Sequence, residues 1–215
     1  MNKILSLFAA LLLTCSLQAQ SLSDLFQKSD TEIHWLGIDY SQVKLIGDFS
    51  EFADAGDRSV VQVKETYFPK WNYLIVNESA KYDIRGMVRK EKITNSIEMV
   101  MKRNGEADVA EMEAYTNTPL SPDDIQGIAK TYDFEGKTGL GLILIAECMD
   151  KNAPIAIYHF AVINMNTKEV LLQERFETVP GGIGLRNFWA ASYYKVIQDI
   201  EKNKYKAWKK EYGKD

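Results

Sequence analysis

The segments GLGLILIAECM (139–149), IAIYHFAVINM (155–165) and EVLLQERFETV (169–179) decide the fold, because each has the length and residue pattern of a strand. The connections at 150–154 and 166–168 are short enough for antiparallel hairpins. The first segment is apolar on both alternating faces, which predicts a central strand that is covered on both sides. The third alternates only in part, which favours a position nearer the edge of the sheet. A three-strand meander is therefore predicted.

A glycine-rich break and a long helix follow this meander. The sequence PGGIG at 180–184 ends the third strand, and apolar residues then recur at helical spacing over 185–212. Tyr205, Trp208 and Tyr212 stand among lysines at spacings of three and four. This spacing predicts that the aromatic rings pack on the body of the protein while the lysines remain in water.

The N-terminal half alternates strand-like and helix-like segments. Strands are predicted at 32–38, 43–46 and 92–97, and helices at 59–79 (divided at Pro69), 98–105 and 121–130. Ser121 and Pro122 are typical of a helix start. The pattern predicts one α/β (α+β) domain over 32–215, with a single mixed, largely antiparallel sheet, helices packed on it and a long C-terminal helix. Residues 20–31 are polar and are predicted to be a flexible leader.

The first nineteen residues have the three-part pattern of a secretory signal peptide. Lys3 supplies the positive charge, the apolar run at 4–13 is about half the length of a membrane span, and Ala19 offers a cleavage site. Cys15 presents an alternative, lipid attachment, although Thr14 fits a lipoprotein signal poorly. Either outcome predicts export, to the periplasm or the periphery of the outer membrane, and no later segment is long enough to span a membrane.

Composition excludes several classes of protein. Cleavage after Ala19 leaves 196 of the 215 residues, which is the length of one domain that can bury a core without disulfides. Cys148 is then the remaining cysteine, so an intramolecular disulfide is excluded. The formal net charge of the whole chain is −4, and this mildly acidic balance argues against nucleic acid as the main partner.

The loop between the third strand and the long helix is the strongest candidate for a ligand site. Backbone N–H groups at a helix start attract anions, and a nearby guanidinium would add a forked charge. The residues of this hypothetical anion site are Gly182, Gly184, Arg186 and Asn187, with Asp39 and Tyr40 as further candidates nearby. The alternative interpretation is a tight turn whose glycines adopt positive φ angles.

No catalytic, cofactor-binding or metal-binding motif is found. His34 and His159 would need to meet across the sheet to bind a metal, and neither has an acid or cysteine at ligand spacing, so structural roles are favoured. The acidic run at Asp48, Glu51, Asp54 and Asp57 lacks the spacing of a calcium loop and is expected to be a solvated face. The predicted site therefore contains no catalytic residue, no metal ligand and no cofactor.

Four segments resemble a family of small, uncharacterised exported proteins of Gram-negative envelopes. They are WLGIDYS (35–41), GLGLILIAE (139–147), VLLQERFE (170–177) and GGIGLRNFWA (181–190). This resemblance implies export and one α/β domain, without an activity. More distantly, VINMNTKEVLLQERFE (162–177) with its following helix is similar to the ending of the curli-secretion lipoprotein and of outer-membrane lipoproteins that activate peptidoglycan synthases. That similarity implies a three-layer domain used for protein contacts.

The leading hypothesis from the sequence is a non-enzymatic envelope protein that binds another protein or an envelope component. The first alternative is a binder of a small anionic ligand at the start of the long helix, and the second is a hydrolase without a recognisable motif. The oligomeric state is left open.

We expect the mature protein to begin at Gln20 when the full chain is expressed with its own signal in a Gram-negative host. Intact-mass measurement of the purified protein checks this, because cleavage after Ala19 fixes one mass. A chain that starts at an acylated Cys15 would instead identify a lipoprotein.

Overall fold

The computed structural model describes residues 21–51 and 59–214. The predicted signal peptide with Cys15, and the acidic residues Asp54 and Asp57, lie outside the described residues.

The strands and helices of the described chain follow each other in a mixed order. The strands are β1 (Ile33–Asp39), β2 (Lys44–Ile46), β3 (Thr94–Asn95), β4 (Glu113–Ala114), β5 (Leu140–Asp150), β6 (Ile155–Asn164) and β7 (Glu169–Thr178). The α-helices are α1 (Leu22–Gln27), α2 (Val60–Gln62), α3 (Phe68–Asn77), α4 (Ile84–Met87), α5 (Glu98–Glu106), α6 (Pro122–Thr131), α7 (Leu185–Asp199) and α8 (Tyr205–Tyr212). Two π-helical turns, Val63–Tyr67 and Ile200–Lys204, join α2 to α3 and α7 to α8.

The described strands form one seven-stranded sheet, and its central part is parallel. One edge of β5 pairs antiparallel with β6, so β1 and β2 share the other edge, beside residues 140–145 and 148–150. The two strands therefore lie in line, and β3 and β4 pair outside them. All four of these pairings are parallel, so the prediction of a largely antiparallel sheet is wrong. About a hundred residues separate β1 from β5, and side-chain periodicity does not encode the direction in which such a connection returns.

The C-terminal meander agrees with its prediction. The strands β5, β6 and β7 pair in succession and antiparallel. The strand β5 is buried along almost its whole length, because it has neighbours on both edges and helices on both faces. The strand β7 is only partly buried and pairs with β6 alone among the described strands.

Helices cover both faces of the sheet and give a three-layer arrangement. The larger core contains the indoles of Trp35, Trp71 and Trp189 and lies between the sheet and α1, α3, α4, α7 and α8. The smaller core lies on the opposite face, where α5 and α6 pack over Ile143 and Ile145.

The predicted start of α6 is observed, whereas the N-terminal segment differs from its prediction. Helix α6 has Ser121 as the expected N-cap, and the Ser121 N–H donates to the Asp124 carboxylate in the same capping box. The predicted flexible leader is instead helical over α1, because Leu25 and Phe26 are buried and the Phe26 ring contacts Tyr205 at 5.4 Å. The polar composition of this segment does not predict that Leu25 and Phe26 pack into the core.

Two buried asparagines complete the outer edge of β1, where β3 pairs only near the start of the strand. Asn72 of α3 accepts a bond from the Ile38 N–H (2.7 Å) and donates to the Ile38 carbonyl (3.0 Å). Asn104 of α5 donates to the same carbonyl (2.9 Å) and accepts from the Tyr40 N–H (2.7 Å). The two amides satisfy backbone groups that a neighbouring strand would otherwise satisfy.

Glycine at position 37 permits this arrangement. Gly37 has a φ of +103°, and a Cβ there would lie 2.5 Å from the Asn72 side-chain oxygen. A larger residue would therefore both strain the backbone and displace the amide.

We expect Asn104→Ala to lower the free energy of unfolding by about 1–3 kcal/mol, because it leaves the buried Tyr40 N–H without its partner and removes one of the two bonds to the Ile38 carbonyl. Urea denaturation followed by circular dichroism measures the change. Asn203→Ala, at an exposed position of the C-terminal helix, is the control and should cost less than about 0.5 kcal/mol. Equal effects of the two substitutions would contradict the role assigned to the buried amide.

Candidate functional site

Four strands end at the same edge of the sheet. The strands β2, β4 and β5 are parallel, and β7 runs with them because both are antiparallel to β6. In sheets with parallel strands, ligands bind beyond the carboxyl ends of those strands. We name this region the carboxyl-end surface and define it by residues 46–49, 59–61, 113–115, 150–155 and 178–187.

A groove of about 460 Å³ lies in this surface between β2, β4 and the turn that joins β5 to β6. Its polar groups come from Asp48, Glu113, Tyr115 and Asn152. The Asp48 carboxylate accepts bonds from the side chain and the backbone N–H of Ser50, which lower the pKa of Asp48. The groove therefore offers acceptors and a phenol beside apolar walls.

The β5–β6 turn is fixed against the end of β2. The Lys151 N–H donates to the Ile46 carbonyl (2.8 Å), and its ammonium donates to the Asp48 carbonyl (2.7 Å). The Asp150 carboxylate accepts from the N–H groups of Asn152 (2.8 Å) and Ala153 (3.0 Å). These bonds hold one wall of the groove in a single conformation.

The loop between β7 and α7 forms the other part of the surface. Gly182 and Gly184 have φ angles of +107° and +80°, which confirms the interpretation of a turn that needs positive φ. The Gly181 N–H donates to the Phe188 carbonyl (2.9 Å), and the Trp71 indole N–H donates to the Arg186 carbonyl (3.0 Å). The backbone is thus anchored at both ends of the loop.

Large apolar side chains are exposed at this surface. Ile183 is 89% exposed, Val179 is 56% exposed and Tyr115 is 100% exposed. Within residues 21–51 and 59–214, six large hydrophobic or aromatic side chains are exposed by 38% or more. Four of the six belong to the carboxyl-end surface, because Val61, which is 43% exposed, lies beside the groove. Apolar side chains that stand out from a fixed backbone are typical of a contact surface.

The structure separates the residues of the predicted anion site. Arg186 and Asn187 are exposed, and the Arg186 Nε donates to the Asn187 side-chain oxygen (3.2 Å). Tyr40 is fully buried behind Trp71, with ring centroids 5.6 Å apart, so it cannot join a surface ligand. Asp39 points to the opposite face of the sheet. An anion site at Gly182, Gly184, Arg186 and Asn187 remains a prediction, without Asp39 and Tyr40.

Asp39 belongs to a buried network instead. Its carboxylate accepts bonds from the Tyr132 hydroxyl (2.5 Å), the Ser41 N–H (2.7 Å) and the Arg103 guanidinium (3.0 Å). The Arg103 side chain also donates to the hydroxyls of Ser41 and Thr131. Burial and the neighbouring carboxylate raise the pKa of Tyr132 well above its usual value. The network joins α5 and α6 to the end of β1.

The two histidines are engaged separately. His34 contacts Ser96 through Nδ1 (2.9 Å) and Glu32 through Nε2 (3.4 Å). His159 contacts Glu147 through Nε2 (2.7 Å) and Gln173 through Nδ1 (2.7 Å). They lie on opposite sides of β5, beside Gly141 and Ile145, and do not meet. The part of the chain that the structure describes contains no group of three or more His, Cys, Asp or Glu side chains that could hold a metal.

Glu147 is the centre of a second buried network, in a bulge of β5. Its carboxylate accepts bonds from His159 (2.7 Å), Arg175 (3.0 Å), Asn117 (2.7 Å) and the Leu120 N–H (3.0 Å). Burial by itself would raise the pKa of Glu147, but these four donors outweigh it and lower the pKa from 4.5 to about 2. The network fixes Asn117 and Leu120, in the segment that follows β4, against the sheet.

Sequence reasoning missed both networks, although one signal was available. Glu147 interrupts an otherwise apolar strand, and a carboxylate at such a position requires internal donors. Nothing in the spacing of Asp39, Arg103 and Tyr132 indicates that they meet, because they come from three separate elements.

The buried acids and the two histidines of the described residues serve internal hydrogen bonds. Both buried carboxylates are held by several donors, and both histidines use both ring nitrogens. Burial raises the pKa of Cys148 to about 12, so its thiolate is not available as a nucleophile. What reaches solvent at the carboxyl-end surface is a groove and an apolar rim, which can bind a partner.

No protein-family model matches this chain, and no curated protein matches it in sequence. Among the helices of the described residues, none is long and apolar enough to cross a membrane.

We expect Glu147→Gln to lower the free energy of unfolding by about 3 kcal/mol at pH 7, because it removes an ion that buried donors stabilise. The pKa of the folded carboxyl is depressed, so its stabilisation is complete above pH 4.5 and is lost as the pH falls toward 2. Urea titrations of both proteins at pH 7 and pH 3 should show a smaller difference at pH 3.

Glu169→Gln is the matched control, because this side chain is exposed at the start of β7. It should change stability by less than about 0.5 kcal/mol at either pH. A difference between wild type and Glu147→Gln that does not depend on pH would refute the assigned ionisation.

Proposed function

We propose that this is a non-enzymatic exported protein of the cell envelope that binds another protein through its carboxyl-end surface. The observation that carries the proposal is the exposure of Tyr115, Val179 and Ile183 at or beside backbone that is hydrogen-bonded to the rest of the fold, at Ala114, Val179 and Arg186. Export and envelope location are supported by the signal-peptide pattern and the sequence resemblance.

A fixed backbone favours binding because little conformational entropy is lost when a partner docks. The Val179 carbonyl accepts a bond from the Lys195 ammonium (2.6 Å), and the Trp71 indole holds the first turn of α7. The adjacent groove supplies a concave region, and Tyr115 supplies an aromatic side chain of the kind enriched at interfaces.

The chemistry of the described residues favours binding over catalysis. The buried acids and histidines of the described chain, Asp39, Glu147, His34 and His159, are used in internal hydrogen bonds and do not line the groove. The polar groups of the groove, Asp48, Glu113, Tyr115 and Asn152, are suited to hydrogen bonds at the rim of an interface.

We expect a photo-crosslinking amino acid at Ile183 or Tyr115 to give a discrete adduct with an envelope protein in living cells. The same residue at Tyr73, a 52% exposed position on α3, is the matched control and should give none. Gel shifts and mass spectrometry of the adducts provide the measurement. Ile183→Asp should then abolish the adduct formed from position 115.

Adducts that form equally at all three positions, or at none, would contradict the proposed surface. The anionic-ligand alternative gives a different result. It requires an extra small mass on the native protein that Arg186→Ala removes, with no protein adduct.

A further inference from the structure

The C-terminal helix concentrates positive charge on an acidic protein. Residues 201–214 contain six lysines and two glutamates, whereas the whole chain has a net charge of −4. Five of these lysines are exposed and form no ion pair within the described chain. We call them the lysine face: Lys202, Lys206, Lys209, Lys210 and Lys214.

The buried side of the helix fixes the direction of the lysine face. The Trp208 ring stacks on Phe160 with centroids 5.5 Å apart, and its indole N–H donates to Glu174 (2.9 Å). Lys204 also pairs with Glu174, and Tyr205 is buried. Because these contacts prevent rotation of α8, Lys206, Lys209 and Lys210 project together into solvent at spacings of three and four.

The N-terminal end of the described chain lies against this helix. The Phe26 ring packs on Tyr205, and the Gln27 side chain donates to the Gly213 carbonyl (3.0 Å). Arg89 is exposed and lies over the Tyr205 ring at 4.7 Å. Helix α1 therefore lies beside the lysine face, with the Arg89 guanidinium as a further cation nearby.

We propose that the lysine face docks on the headgroups of an anionic phospholipid bilayer. Ammonium groups on one side of a fixed helix match a planar negative surface, and Tyr212, which is 38% exposed at its edge, suits the interfacial region. The acidic excess of the remaining chain would be repelled by the same surface, so the protein would approach with this face first.

This docking is independent of the proposed partner binding. The carboxyl-end surface adjoins the start of α7, and the lysine face lies at the end of α8, roughly 40 Å along the same helical run. Loss of one function should leave the other intact.

The test is co-sedimentation of the mature protein with vesicles of phosphatidylcholine, with and without phosphatidylglycerol. We expect binding only to the anionic vesicles, and its loss when NaCl is raised from about 0.05 M to about 0.5 M. Each lysine near an anionic surface contributes roughly a fivefold gain in partitioning, so Lys206→Gln, Lys209→Gln and Lys210→Gln together should weaken binding by about a hundredfold.

The control combines Lys70→Gln, Lys102→Gln and Lys130→Gln, which changes the net charge equally on three other helices. It should lower binding by less than about fivefold. Absence of wild-type binding to anionic vesicles, equal binding to neutral ones, or equal losses in both triple variants would overturn the proposal. Circular dichroism spectra of the variants verify that the comparison is between folded proteins.

Discussion

The hydrogen bonds that Asn72 and Asn104 make to the outer edge of β1 are the constraint on which much of the structure depends. A buried strand edge without a partner strand would leave backbone donors and acceptors unsatisfied, at about 1–3 kcal/mol each. Because helices α3 and α5 supply amides for Ile38 and Tyr40, no long strand is needed there. The same contacts bring α3 onto one face of the sheet and α5 onto the other, so the layers are set by the edge of β1.

The interruption between β1 and β2 shapes both sides of the sheet. At the end of β1, the Asp39 side chain contacts Arg103 and Tyr132 on one face of the sheet. The next side chain, Tyr40, stacks on Phe68 on the opposite face, with ring centroids 4.3 Å apart. Further along β5, the bulge at Glu147 draws the segment after β4 onto the sheet through Asn117 and Leu120. Two internal polar networks thus hold segments outside the strand pairings, one at the end of β1 and one between β4 and α6.

The long C-terminal helix links the two surfaces to which we assign roles. Its start is held by Trp71 beside an apolar rim, and its end is held by Trp208 and Glu174 beneath a row of lysines. A rigid element with an apolar contact region at one end and a cationic face at the other could hold a bound partner at a defined distance from a membrane. The π-helical turn at Ile200–Lys204 lies between these ends and lets both buried sides face the sheet.

The sequence by itself determined the elements whose signal is local. Two apolar runs and a partly alternating segment, joined by short connections, specify the β5–β7 meander. A Ser-Pro start with an acid three residues after the cap specifies α6, and helical spacing specifies the C-terminal helix. Only the tertiary structure decided the parallel pairing of β1 and β2 with β5, the burial of Leu25 and Phe26, and the meeting of Asp39 with Arg103 and Tyr132. These features depend on contacts between residues far apart in the chain, and the free energy that selects them comes from the packed core and from buried hydrogen bonds, which no window of sequence contains.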